Sequence, residues 1–237
     1  MSVFSGAAFR FGHSLISTII HRVDPDFHSI PQGPLLLRNA FFNPVSIQYG
    51  IGSILRGVMM QQHESVDVLI SDDLRNFLFQ TVGGGGASRH DLFSLNLQRG
   101  RDLGLPDYNT LRAAYGFNRL TDFSEISSDP ATVNALATAY VSIDDIDPFV
   151  GGLAEDHLPN SKMGELFTAI LRDQFVRLRD GDRFWFENGR FSQQETQQLR
   201  NTKMLDVIIR NTDTRQSTGR DFVSAFSLSD ASNVPNM

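Results

Sequence analysis

The chain has 237 residues and a mass of 26.5 kDa, long enough for one domain with a sizeable core. Its 41% hydrophobic and 20% charged residues exclude a disordered or collagen-like chain, and the absence of cysteine excludes disulfides, thiolate metal sites and a cysteine nucleophile. A net charge of −6 argues against a nucleic-acid surface, no apolar run approaches the ~20 residues of a membrane span, and Arg10 and His13 interrupt the first apolar stretch, so no signal peptide is expected.

Most of the chain reads as helix with long irregular connections. Residues 2–22 carry Val3, Phe4, Ala7, Ala8, Phe11, Leu15, Ile19 and Ile20 along one broad stripe, which predicts a helix ended by Pro25. Four prolines between 25 and 44 predict an extended loop, and residues 46–60 read as a helix weakened by Gly50, Gly52 and Gly57. Ser71-Asp72-Asp73 signals a helix start running through Phe79, and Gly83–Gly86 reads as a flexible link without the Lys-Ser/Thr of a phosphate loop. Helices are expected over 91–101, over 107–115 capped by Asp107, and over 130–140 opened by Asp129-Pro130. The stretch 141–160 is acidic, holds Gly151 and Gly152, and reads as a turn-rich loop.

The clearest helix is 162–179, where Met163, Leu166, Phe167, Ile170, Leu171, Phe175 and Leu178 form one apolar face. Ser192 and Glu195 make a capping box for 193–200, and 205–210 is a short apolar helix. Short extended pieces are possible at 35–37 and 183–186, and the polar residues from about 217 onward read as a loose tail. Nineteen phenylalanines against one tryptophan and four tyrosines describe an interior of rings without polar handles.

Two clusters could carry chemistry. His13 lies among Phe9, Phe11, Gly12 and Leu15, where an imidazole is costly to bury unless both nitrogens find partners. Gly12 would let a flat ligand approach closely, and Arg10, three residues earlier, shares the face. On periodicity alone a satisfied core histidine is the ordinary reading and a metal ligand the sharper one. In the second cluster, Asn96 and Arg99 share a helix face three residues apart, with Arg101 and Asp102 following, and on the residues alone a salt-bridge network tying loops together is the favoured reading of the arginines. The remaining histidines, at 21, 28, 63, 90 and 157, show no ligand spacing.

The segment AFRFGHSLI at 8–16 resembles the proximal-histidine helix of the animal-type haem peroxidases. LNLQRGRDLGLPDYN at 95–109, DIDPFVGGLAE at 145–155 and LRDGDRFWFEN at 178–188 are similar to three further signatures of that superfamily, in the same order. The resemblance implies a mainly α, multi-helix peroxidase fold, of which residues 1–237 are the C-terminal, proximal part. It implies haem b held by His13 as the iron ligand, with Asn96 accepting a hydrogen bond from the imidazole Nδ1–H. Arg10 and Arg99 would reach the haem propionates. The implied activity is reduction of hydrogen peroxide through a ferryl intermediate, with oxidation of a halide, phenol or other small reductant, in the context of oxidative stress. The last two signatures are read as structural. The family resemblance favours an extracellular location, and a cysteine-free sequence fits a bacterial source.

Two departures bear on this. Leu103 stands where the family usually has histidine after Arg-Gly-Arg-Asp, a change of packing and not of ligation. The family's distal histidine and arginine lie upstream of the proximal helix, and this sequence starts twelve residues before His13, so no residue here is assigned to peroxide cleavage. A partner chain carrying the N-terminal half is one expectation, and a non-catalytic haem-binding remnant is the alternative. A fatty-acid dioxygenase of the same superfamily would place a tyrosine three residues before the histidine, where this chain has Arg10.

Overall fold

A computed structural model describes residues 1–48, 50–79 and 90–214. The expected link at Gly83–Gly86 and the tail beyond 217 lie outside the described residues. The architecture is mainly α, as expected, with one two-stranded ribbon.

Helix α1 (Ser2–Gly6) stops where Ala7 takes φ −135° and ψ −75°, and a 3-10 turn continues over Ala8–His13. The single helix expected over 2–22 is therefore two short pieces followed by strand β1 (Ile19–Ile20). Ile16, Thr18, Ile19 and Ile20 are β-branched and favour extended backbone. Strand β1 pairs antiparallel with β2 (Leu35–Leu36), in the register Ile19 with Leu36. Helix α2 (Ile51–Met60) docks closely on this region, because a Cβ at Gly57 would fall 1.9 Å from the His21 carbonyl oxygen.

Helix α3 (Asp72–Arg75) is a single turn, and Ser71 makes no side-chain cap bond. The expected continuation through Phe79 fails because Phe79 has φ +63° and Leu78 bridges to His90. Its ring meets those of Phe41, Phe42 and His90 at centroid distances of 5.5–6.1 Å, so tertiary ring packing overrides the local helix signal. The capped helices appear where the sequence places them. They are α4 (Leu92–Asp102, capped by Asp91), α5 (Tyr108–Ala114, Asp107) and α6 (Pro130–Ala139, Asp129).

The loop expected over 141–160 is instead a 3-10 turn at Ile143–Asp145 and a helix, α7 (Pro148–Ala154), every residue of which is buried. Gly151 and Gly152 serve close packing there, not turning. A Cβ on Gly151 would lie 2.3 Å from the Tyr108 ring, and one on Gly152 2.1 Å from the Phe167 ring. Helix α7 thus sits in the middle of the core, against α5, the Ala8–His13 turn, α4 and α8 (Glu165–Gly181). Leu166, Phe167, Ile170 and Leu171 of α8 are buried, while Phe175 and Leu178, on the same apolar stripe, are about half exposed. Helices α9 (Gln193–Asn201, with the Ser192/Glu195 capping box) and α10 (Met204–Asn211) complete the described chain. Residues 183–186 form turns and not an extended piece, with the Trp185 amide donating to the Asp182 carbonyl at 3.0 Å.

A buried ionic network locks α5, α7 and α8 together. Glu155 accepts from the Tyr108 hydroxyl at 2.8 Å, from Arg112 Nη1 at 2.5 Å and from the Leu166 amide at 2.8 Å. Arg112 also donates to Glu165 at 2.8 Å. Desolvation pushes the Glu155 carboxyl above its ordinary range, only partly opposed by these donors, and burial raises the Tyr108 phenol as well.

Candidate metal centre

His13 is the last residue of the 3-10 turn. Three residues per turn eclipse positions i and i+3, so Arg10 and His13 stand one above the other on a single face. Asn96 and Arg99 share a face of α4, and both α4 and the 3-10 turn lean on α7. The four residues singled out from the sequence therefore come together across a separation of more than eighty residues.

Asn96 has no exposed surface, and both ends of its amide are engaged. Its Nδ2 lies 2.9 Å from His13 Nδ1, and its Oδ1 accepts from Arg10 Nη1 at 2.7 Å. Arg10 Nε donates to the Ser5 carbonyl at 2.9 Å, which anchors the guanidinium. The pairing of His13 with Asn96 is as expected, but its polarity is reversed. The resemblance implies an amide oxygen facing Nδ1, whereas here Arg10 has claimed that oxygen and the amide nitrogen faces the ring. Sequence reasoning missed this contact because it assigned Arg10 outward to an anion; its signal was the three-residue spacing of Arg10 and His13 opposite a buried amide.

His13 is half-buried, and among the described residues nothing hydrogen-bonds to its Nε2. Burial first, then the nearby Arg10 charge, push its pKa below the ordinary histidine value, against the Asn96 contact. The neutral imidazole this favours is the form that binds metals. Beside it, a Cβ added to Gly12 would meet nothing within 4 Å, so the flank of the turn is open to a flat group. Burial and the neighbouring Arg99 lower the Arg10 pKa, and among the described residues no carboxylate pairs with either arginine. Two cations without acidic partners beside a neutral imidazole make a site for a ligand that brings both a metal and negative charge.

The other signatures do separate work. Arg101 grips Asp147 through two bonds of 2.9 and 2.8 Å, and Asp147 also accepts from the Tyr140 hydroxyl at 3.0 Å, which ties the second signature to the third. The Leu178–Asn188 signature closes its own turn, with Asn188 Nδ2 donating to the Asp182 carbonyl at 2.8 Å, but it lies on the surface and not around the core. Leu103 packs beside Gly6, where an added Cβ would come within 2.8 Å of its Cδ1. The remaining histidines are dispersed; His157 Nε2 meets the Val66 carbonyl at 2.8 Å, and His28 lies 3.8 Å from Asp24. Among the described residues no cluster of three or more His, Asp or Glu side chains is placed to hold a metal ion, and no helix is long and apolar enough to cross a membrane.

A helical core that presents one half-buried imidazole, backed by a buried amide and flanked by arginines, is the arrangement that the peroxidase resemblance implies. The chain belongs to the animal haem peroxidase family, whose profile matches residues 1–223. It is 41% identical to peroxinectin A of Dictyostelium discoideum over 209 residues, which are 88% of this chain and 38% of that protein. It is 39% identical to thyroid peroxidase of Sus scrofa over 218 residues, 89% of this chain and 23% of that protein. Among solved structures, peroxidase A of Dictyostelium discoideum matches with a TM-score of 0.81 at 36% identity, covering 94% of this chain and 42% of the other. A fatty acid α-dioxygenase of Arabidopsis thaliana shares the fold, with a TM-score of 0.72 at 19% identity over 99% of this chain and 39% of the other. The chain thus spans well under half the length of these relatives.

Proposed function

We propose that this chain supplies the proximal, haem-binding side of a peroxidase that reduces hydrogen peroxide and oxidises a small donor such as a halide or phenol. The observation that carries the proposal is the His13–Asn96 pair, a neutral, half-buried imidazole with a free Nε2 and a fully buried amide behind it. Haem b, when bound, supplies the iron at which peroxide chemistry occurs. His13 ligates through Nε2, Asn96 fixes the plane of the ring, and Arg10 and Arg99 hold the propionates by charge-assisted hydrogen bonds. Ligation through Nε2 places the ring proton on Nδ1, so in the haem-bound form the Asn96 amide presents its oxygen there; an amide is a weaker acceptor than a carboxylate, and the ferric state is favoured less strongly than it would be by an acidic partner.

The base and cation that cleave the peroxide bond are assigned to no residue of this chain, and a segment carrying the family's distal side would supply them. The half-exposed rings of Phe9 and Phe175, with Phe9 stacked on Phe4 at 4.7 Å and Phe175 edge-on to both at 5.6 Å, offer such a segment an apolar face. The family resemblance supports an extracellular setting, and the cysteine-free sequence supports a bacterial source. Arg10, held on Asn96, occupies the position where the dioxygenase reading needs a tyrosine, and the likeness to those enzymes supports the fold alone.

Titration of the chain with haem, alone and with an upstream peroxidase segment, tests the proposal by absorption spectroscopy. A histidine-ligated ferric spectrum is expected, with peroxide turnover in the assembled form and loss of ligation in His13→Ala. An unchanged spectrum in His13→Ala overturns the ligand assignment. Haem binding without turnover in the assembled form makes the chain a non-catalytic haem binder.

A further inference from the structure

We propose that the cavity between residues 65–69, the start of α6 and the end of α7 is a binding site for a small organic cation, an arylalkylamine whose apolar body fills the cavity and whose ammonium group meets the carboxylates around it. The cavity holds about 500 Å3, within the ~300–1,000 Å3 of small-molecule sites. None of Arg10, His13, Asn96 and Arg99 lines it, so it is separate from the candidate metal centre.

Hydrogen bonds between its walls, rather than side chains filling the space, hold the cavity open. His157 Nε2 donates to the Val66 carbonyl at 2.8 Å, which fastens the 65–69 segment to the residues that follow α7. Asp156 accepts from Ser127 Oγ at 3.2 Å and from the Ser128 amide at 2.9 Å, and its own amide donates to the Ile126 carbonyl at 3.2 Å. These bonds fasten the same residues to the approach to α6. Val66 and Leu153 supply buried apolar surface, and Ala131 and Ala135, one turn apart on α6, add wall without filling the space.

The charge around the cavity has one sign. Between Arg56 and Arg75 the chain has four carboxylates and no Lys or Arg, and between Arg119 and Lys162 it has eight and again no Lys or Arg. The cavity is built from these two stretches alone. Of its four carboxylates, Glu155 is engaged by Tyr108 and Arg112. Asp67, Asp129 and Asp156 form no ion pair among the described residues. Amides and hydroxyls fix Asp129 and Asp156 in place without cancelling their charge, Asp129 as the cap of α6. Asp67 Oδ1 accepts from the Leu69 amide at 2.7 Å, and its second oxygen has no donor among the described residues. Fixed carboxylates without counter-ions attract a cation and repel an anion. They are not grouped to hold a metal ion, and the apolar surface between them favours a cation with an organic body over a hydrated one.

Calorimetric titration of the full chain with three indoles of similar shape and different charge tests the proposal. The probes are tryptamine, a cation at neutral pH, tryptophol, its neutral hydroxyl analogue, and indole-3-propionate, an anion. Tryptamine is expected to bind about tenfold more tightly than tryptophol, and indole-3-propionate more weakly than either. The preference for tryptamine is expected to shrink as salt is raised from about 0.05 M to about 0.5 M. It is also expected to shrink in Asp67→Asn, whose side-chain oxygen still accepts from the Leu69 amide. Ala135→Trp, at an exposed position of α6, fills the cavity and is expected to abolish binding of tryptamine and tryptophol alike. Ala131→Phe, one turn away, repeats the block if Ala135→Trp does not fold. Pulse proteolysis in urea gives a second reading, because tryptamine should raise the midpoint of the wild type and leave that of the blocked variant unmoved. Equal binding of the three indoles, tryptamine binding unchanged in the blocked variants, or no tryptamine binding at millimolar concentration overturns the proposal.

Discussion

Replacing Gly152 by alanine tests whether the core is held by close packing on α7. In an ordinary helix interior this change stabilises by about 1 kcal/mol, because glycine is a poor helix former. Here the added methyl would sit 2.1, 2.4 and 2.5 Å from Cε1, Cδ1 and Cζ of Phe167. Carbon atoms pack at about 3.5 Å or more, so the ring would have to retreat by roughly 1.4 Å. Phe167 is wholly inaccessible, between Leu166, Ile170 and the rest of the core, and has nowhere to go. Overpacking of this kind costs about 1–3 kcal/mol and outweighs the gain in propensity, so a net loss of at least ~1 kcal/mol is expected. Pulse proteolysis in urea measures it at low protein concentration. Gly100→Ala is the matched control. It also lies within a helix, its new methyl would meet only Leu105 Cδ1 at 3.6 Å and a backbone oxygen at 3.9 Å, and it should stabilise. Phe167→Leu should relieve part of the damage in the double variant, giving a positive coupling. A stabilised Gly152→Ala protein would refute the packing account and return 151–152 to a loop role.

Glu155→Ala removes the acceptor shared by Tyr108, Arg112 and Leu166; it leaves the buried guanidinium with Glu165 as its remaining carboxylate, and a loss near the lower end of ~3–5 kcal/mol is expected from the urea midpoint. A loss below ~1 kcal/mol would mean that the network contributes little. In the haem-loaded protein, Asn96→Asp should lower the iron reduction potential, because a carboxylate draws the Nδ1 proton more strongly than an amide; potentiometric titration that finds it unmoved or raised counts against the pair. The carboxyls of Asp122, Asp129 and Glu195 lie below their ordinary range, held first by the hydroxyls of Ser124, Thr132 and Ser192. A lowered folded pKa gives stability that is complete above the unfolded value and lost as pH falls through the folded one, so the urea midpoint should drop between about pH 5 and about pH 3. Glu155, pushed the other way, takes up its proton earlier and opposes the loss above that window, so a fall concentrated between about pH 7 and about pH 5 would contradict the assignment.

Helix starts were legible where a side chain caps them. Asp107, Asp129 and Ser192 each bond the amides that their sequence context predicts, a local device that needs no distant partner. What escaped was set by distant contacts. Gly151-Gly152 in an acidic stretch looks like a turn until the Tyr108 and Phe167 rings are placed against it. The run through Phe79 looks helical until Leu78 bridges to His90. At the site, the resemblance supplied the four residues, and periodicity alone left His13 open between core and ligand. The direction of the Asn96 hydrogen bonds was invisible in sequence, because it depends on which of two neighbours reaches the amide oxygen first.

The packing of α7 and the geometry of the site are one problem. The turn that ends in His13 and the helix that carries Asn96 do not belong to a common rigid element; they meet because both rest on Pro148–Ala154. Phe93 of α4 lies 5.3 Å, ring to ring, from Phe149 of α7, one turn before Asn96. Ala7 and Ala8, with no exposed surface, begin the turn that ends at His13. A displacement of α7 therefore enters the His13–Asn96 separation from both sides, and a hydrogen bond of 2.9 Å is lost within a further angstrom. Gly152→Ala should accordingly impair haem ligation although it lies outside the site, whereas Gly100→Ala, on the same helix as Asn96 but with space for its methyl, should leave ligation intact. Absorption spectra of the two loaded variants, compared at matched folded fraction, decide the point. Normal ligation in a destabilised Gly152→Ala protein would show that the imidazole and the amide are held together by their own contacts and not by the helix beneath them.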